Sequence, residues 1–184
     1  MALNRDKVGT VYPAYTYEVS REKIREYAAA LGEQDPRAFS DGDDCTAPPT
    51  FAACFTITKG GEAAFGDPEL GTHPALVHGS QRYTYGPRAI RPGDVLTCTP
   101  RIADISSRGA NEFLVIEVEC VADDGTHVVT SEATIVFLGS APVAAGTGVP
   151  DAGAASSAAA GGEGQGRATM PGEPGGEPGQ EVSS

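Results

Sequence analysis

Residues 1–140 are predicted to form one α+β domain, an antiparallel sheet wrapped around a central helix, with residues 141–184 as a disordered tail. Three observations lead there. Apolar residues in the front half recur at helical spacing, after His78 they recur at every second position, and from Ala141 onward the chain is Gly, Ala, Pro, Ser and Glu without any period. A length of about 140 residues suits a single hydrophobic core. A segment without periodic apolar residues cannot bury enough surface to offset the entropy of ordering.

The elements follow in chain order. Tyr15–Val19 alternates weakly. Ser20 is placed to cap a helix beginning at Arg21, its hydroxyl accepting an otherwise unpaired backbone N–H, and Glu22 in the first turn suits the helix dipole. Ile24, Tyr27, Ala28 and Leu31 form one apolar stripe, and Gly32 stops the helix. Pro48-Pro49 forces extended backbone ahead of 50–58, whose Phe51, Phe55 and Ile57 fit either a strand or a buried helix. Gln81–Tyr85 reads as a strand, Arg91-Pro92-Gly93-Asp94 as a tight turn and Val95–Ile105 as a long strand. Glu112–Ala122 alternates, with Leu114, Ile116, Val118, Cys120 and Ala122 on one face. Asp124-Gly125 is a hairpin signal, and His127–Leu138 returns antiparallel. The apolar face of this meander needs a cover, and the helical front half is the local supply. The resulting shape is a hot-dog.

Composition narrows the partners. The formal net charge is −12. A nucleic-acid partner would need a positive face to release counterions, and the densest basic series, Arg21, Lys23 and Arg25, reads as the solvated face of a helix. No apolar run approaches the ~18 residues that span a bilayer, and Met1–Thr10 lacks the basic flank and apolar run of a signal peptide, so a cytoplasmic location is expected. Cys45, Cys54, Cys98 and Cys120 contain no Cys-x-x-Cys pair and three lie in apolar segments, as reduced, buried thiols would. Asp41-Gly42-Asp43-Asp44 lacks the later ligand spacing of a calcium loop and reads as solvated. No metal and no cofactor is expected.

Four motifs in one order carry a resemblance: the front helix Arg21–Ala28, the segment Ala47-Pro48-Pro49-Thr50-Phe51, His78-Gly79 ahead of the Arg91-Pro92-Gly93-Asp94-Val95-Leu96 turn, and the hairpin Ser107-Arg108-Gly109-Ala110-Asn111-Glu112-Phe113-Leu114. Over about Val8 to Leu138 the domain resembles MaoC-like hydratases and dehydratases, and more narrowly the actinobacterial HadA-type dehydratase subunits. Catalytic members of that family carry a Gly-Asp-x-Asn-Pro-aliphatic-His stretch, whose His takes the proton beside a thioester carbonyl while the Asp works on the departing water. That proton is only weakly acidic, so base and oxyanion stabilisation must act together. Here the matching stretch is Gly32-Glu33-Gln34-Asp35-Pro36-Arg37-Ala38. Glu33 stands at the Asp position and Ala38, which cannot take a proton, at the His position.

The resemblance therefore implies no catalytic residue in this chain. It implies substrate contacts at His78, Gly79 and Gln81, and a role as the substrate-holding subunit of a heterodimeric (3R)-hydroxyacyl-thioester dehydratase in type II fatty-acid synthesis. The expected partners are a MaoC-like catalytic subunit supplying Asp and His, and an acyl-carrier-protein or coenzyme A thioester. Two alternatives stay open: a self-sufficient homodimeric hydratase or thioesterase using Glu33, Asp35 or His78 as base, and an acyl-thioester-binding protein without a reaction. His73 and His127 read as loop and strand-edge residues.

Overall fold

Strand alternation and two helical segments decide how this chain packs. The computed structural model describes residues 2–71 and 74–142. His73 and, apart from Ala141 and Pro142, the tail expected at 141–184 lie outside the described residues. The elements are β1 (Tyr15–Glu18), α1 (Arg21–Leu31), a 3-10 turn (Pro36–Phe39), α2 (Ala53–Phe65), β2 (Leu76–Tyr85), β3 (Val95–Arg108), β4 (Asn111–Ala122) and β5 (His127–Phe137). The five strands make one antiparallel sheet in the order β1-β3-β4-β5-β2. Helix α2 lies across its inner face, on β3, β4 and β5. The fold is a hot-dog, as expected.

Helix α1 begins and ends where the sequence places it. Ser20 Oγ accepts the Lys23 N–H, and Gly32 closes the helix in the left-handed region at φ 67°. Ile24 and Ala28 are buried, but Leu31 does not join them: the helix end projects past the core and leaves it 56% exposed. Nor are Arg21 and Arg25 a merely solvated face. Arg21 Nη1 donates to the carbonyls of Ser40 (2.6 Å) and Gly42 (3.1 Å), and Arg25 pairs with Asp41. These contacts tie α1 to the loop that follows the 3-10 turn.

The segment of undecided type is the central helix, and it runs on to Phe65 through Gly60 and Gly61. Thr56, Gly60 and Ala64, four residues apart, turn a small-residue face to the sheet. A Cβ on Gly60 would fall 2.6 Å from Val118 Cγ2, so the glycine permits the close approach of α2 to β4. On another face Phe55 stacks on Tyr17 with ring centroids 4.5 Å apart, and Phe51 meets Tyr27 edge-on.

The meander follows the predicted period. Leu114, Ile116, Val118 and Cys120 are all buried, and Cys98 lies directly opposite Cys120 across β3 and β4. All four cysteines are free thiols, Cys54 being half-buried. In the turn before β3, Pro92 is followed by Gly93 at φ 85°, as a type II turn requires, and Asp94 accepts the Arg91 N–H at 2.8 Å. Glu112 occupies the inward series of β4, fully buried, its carboxylate accepting the Leu3 N–H at 3.0 and 3.2 Å.

Strand β2 starts at Leu76, ahead of the expected Gln81, and sits at the edge of the sheet. Among the described residues nothing pairs with its outer side. Leu76, Val77 and Tyr85 on β2, and Ile57 and Phe65 on α2, remain exposed.

Candidate functional site

Two places have the chemistry to be considered, the loop after α1 and a slot beneath α2. The loop is closed on itself. Glu33 Oε1 accepts the N–H groups of Gln34 (2.8 Å) and Asp35 (3.0 Å). Asp35 caps the 3-10 turn through the Arg37 N–H (2.9 Å) and holds the Arg37 guanidinium at 2.5 and 3.0 Å. The Arg37 contacts hold the Asp35 carboxyl down at about 2. A carboxylate of that kind is a poor general base near neutral pH. Ala38 is buried and lines a groove of about 200 Å³ with Pro48, Pro49 and Ala89, where its methyl cannot take a proton. A neighbouring groove of about 320 Å³ continues over the same prolines to Tyr85 and Arg88. There the Tyr85 hydroxyl donates to the Pro49 carbonyl, and Arg88 Nη1 is taken by both Asp94 oxygens at 3.0 and 2.8 Å.

The slot has a different construction. It measures about 70 Å³ and lies between α2 and the sheet, with Ile57, Gly61 and Phe65 on the helix side and Ile116, Ala133 and Ile135 on the sheet side. His78 and Ser131 stand in the same lining. His78 Nε2 lies 3.2 Å from Gln81 Oε1, within hydrogen-bond distance. Gln81 Nε2 in turn donates to Ser131 Oγ at 2.8 Å.

A bulge makes that relay possible. Residues three apart on a regular strand point to opposite faces. Here His78 pairs with Ile135 and Ser80 with Thr134, leaving Gly79 as the extra residue, and Gln81 pairs with Ala133. Ile135 and Ala133 share the inner face, so His78 and Gln81 do too. At Gly79 a Cβ would fall 2.9 Å from Val136 Cγ2 and 3.3 Å from the Thr134 carbonyl. Gly79 thus shapes the backbone and does not line the slot, whereas His78 and Gln81 are brought together. Further along the same face the Tyr83 hydroxyl is buried without a hydrogen-bond partner, and burial pushes its pKa up to about 12. Glu33 and Asp35 line the loop groove and His78 lines the slot, with no residue common to both. The structure does not assemble them into one acid–base site.

Ser131, Gly61 and Phe65 were not singled out from the sequence. Ser131 alone had a visible signal, a hydroxyl on the inward period of β5 between Val129 and Ala133.

The family model for the FAS1-like, dehydratase domain region matches residues 6–131. The chain belongs to that family. It is 42% identical over 151 residues to a UPF0336 protein of Thermobifida fusca, a match covering 77% of this chain and 98% of that protein. A UPF0336 protein of Streptomyces coelicolor is 40% identical over 146 residues, covering 74% and 95%. Among solved structures, the HadBC (3R)-hydroxyacyl-ACP dehydratase complex of Mycobacterium tuberculosis aligns at a TM-score of 0.62 with 24% identity, covering 71% of this chain and 97% of that one. The ChsH1-ChsH2 complex of the same organism aligns at 0.54 with 16% identity, covering 79% and 93%. These likenesses show the hot-dog fold of MaoC-like dehydratases. Among the described residues no helix is long and apolar enough to cross a membrane.

Proposed function

We propose that this FAS1-like dehydratase-domain chain is the substrate-holding, non-catalytic half of a two-subunit (3R)-hydroxyacyl-thioester dehydratase of type II fatty-acid synthesis, of the HadA type, working in the cytoplasm. The observation that carries the reading is the loop Gly32–Ala38. A methyl group occupies the position of the base, and both nearby carboxylates are already committed to their neighbours. Proton abstraction beside the thioester carbonyl and departure of water must then use an Asp/His pair from elsewhere.

The open edge of β2 supports a partner. An unpaired ten-residue edge strand flanked by exposed Leu76, Val77, Phe65 and Tyr85 is a liability unless another strand covers it. A second hot-dog domain adding its edge strand here would extend the sheet and wall in the side of the slot. His78 and Gln81, held by Ser131, are the groups placed to hydrogen-bond the polar head of an acyl thioester, with Gly79 as the bulge that aims them. Two structural neighbours reported above, HadBC and ChsH1-ChsH2, are complexes.

The test is hydration of a crotonyl thioester by the purified chain, alone and after co-expression with a MaoC-like subunit that keeps the Gly-Asp-x-Asn-Pro-aliphatic-His stretch. The reading expects turnover only with the partner. Clear turnover by the chain alone would overturn it in favour of a self-sufficient homodimer.

A further inference from the structure

Cys98 and Cys120 stand directly opposite one another on β3 and β4, both fully buried. The backbone pairing around them decides how closely they approach. The Ile102 N–H donates to the Thr10 carbonyl at 3.0 Å, the Ile102 carbonyl accepts from the Gly9 N–H at 2.9 Å, and the Pro100 carbonyl accepts from the Tyr12 N–H at 2.9 Å. These residues turn their backbone groups away from β4. Cys98 continues the same two-residue series, with no register shift between 98 and 102, and its neighbour on that side is Tyr15. On β4 the Ala122 N–H donates to the Thr126 carbonyl at 2.9 Å, away from β3, and Cys120 follows by the same alternation. The two cysteines are therefore a non-hydrogen-bonded pair, the kind whose Cα atoms stand about 4.5 Å apart and whose side chains come closest. A disulfide spans Cα separations of about 4.4 to 6.8 Å. The two sulfurs can be joined with the strands where they are.

We propose that Cys98 and Cys120 are a redox-sensitive cross-strand dithiol, oxidised by hydrogen peroxide to a disulfide that locks β3 to β4. One sulfur gives two electrons to the peroxide, whose O–O bond breaks to leave a sulfenic acid and one water. The second thiol attacks that sulfur, the S–S bond forms, and the S–O bond breaks to release the second water. The two waters carry away both peroxide oxygens and both thiol protons. The site also has a cover. The Tyr15 hydroxyl donates to the Phe55 carbonyl of α2 at 2.6 Å, which ties the four-residue edge strand β1 over Cys98. The Cys98 thiol hydrogen-bonded to Cys120, together with burial, pushes the Cys120 thiol up, and a protonated buried thiol is inert. Oxidation therefore waits on local opening of β1, a short edge element of the kind that opens first.

The experiment exposes the full chain to hydrogen peroxide under native conditions, digests it without reduction and maps the linked peptides by mass spectrometry. Wild type is expected to lose two hydrogens and to yield one pair of peptides joined through Cys98 and Cys120, reversed by dithiothreitol. Cys54→Ala should behave as wild type, and Cys120→Val should form no bond. Closing a loop of about 20 residues restricts the unfolded chain, so the oxidised protein should melt about 5 °C or more above the reduced one. Tyr15→Phe, which lacks the donor to Phe55, should form the bond severalfold faster. Retention of both thiols, oxidation to sulfinic acids alone, or a bond made through Cys45 or Cys54 would overturn the proposal in wild type, whatever the folding of the variants. An unchanged melting temperature on oxidation would overturn the lock, and an unchanged rate in Tyr15→Phe would overturn the gating by β1.

Discussion

The loop Gly32–Ala38 and the slot beneath α2 differ in where their polar groups find partners. In the loop each carboxylate is answered within two residues: Glu33 by Gln34 and Asp35, Asp35 by Arg37. At the slot the contacts run between strands: His78 meets Gln81 on β2, and Gln81 donates across to Ser131 on β5. A loop whose carboxylates are answered this locally has the construction of a structural turn. A relay standing at an apolar slot beside an unpaired strand edge still has an open side. The difference teaches that polar groups answered within their own loop make a turn, while groups answered across strands stand at a slot beside an open sheet edge.

The sharpest probe of the slot side is the pair of adjacent glycines on α2, Gly60 packed on Val118 and Gly61 lining the slot. Gly60→Ala should cost about 1–3 kcal/mol, the usual penalty of forcing a carbon into a packed site, read by urea denaturation. Gly61→Ala should instead stabilise, by up to about 1 kcal/mol of helix propensity. Equal signs for the two would break the distinction drawn between packing and space.

A smaller effect is expected from Gln81→Ala. It removes the amide that joins His78 to Ser131 and should cost about 1 kcal/mol, the ordinary net value of such hydrogen bonds. In the assembled enzyme it should raise KM several-fold with kcat unchanged, as loss of uniform binding does. A fall in kcat at constant KM would place these residues in the chemistry.

The loop should respond least. Asp35→Asn is expected to leave turnover within twofold. The Asp35 carboxyl, depressed to about 2 by Arg37, should titrate near that value by NMR, and Arg37→Ala should raise it part of the way towards the ordinary carboxylate range, the backbone N–H of residue 37 still donating to it. Because the folded value lies below the unfolded one, the contribution of this pair to stability is complete above about pH 4 and is lost as pH falls towards 2. A titration of Asp35 well above 4 in the wild type would contradict the closed-loop account.

Much of this fold was legible in the sequence, and the unread parts have physical causes. The limits of α1 follow from Ser20 and Gly32, and the meander from strict alternation in 112–122. Helix α2 was left open because the apolar residues of 50–58 fit either period, and its continuation through Gly60 depends on close packing against Val118. The start of β2 was hidden by Gly79, whose bulge breaks the two-residue period. Arg21 and Arg25 looked solvated because the carbonyls and carboxylate they bind lie 14 to 21 residues away in sequence. Of the candidate site, His78, Gly79 and Gln81 stood out as a motif. Ser131, Gly61 and Phe65 did not, since only the tertiary fold brings β5 and α2 to the same slot.

The central claim is that this chain holds the substrate and its partner does the chemistry. The most direct measurement compares two substitutions in the assembled enzyme acting on a crotonyl thioester: His78→Ala in this chain, and His→Ala in the partner's Gly-Asp-x-Asn-Pro-aliphatic-His stretch. The account predicts that the partner substitution lowers kcat by about 10²- to 10⁴-fold, the range of a lost general base. His78→Ala should raise KM and leave kcat within about threefold, the pattern of lost uniform binding. A loss of kcat on His78→Ala as large as that on the partner substitution would contradict it.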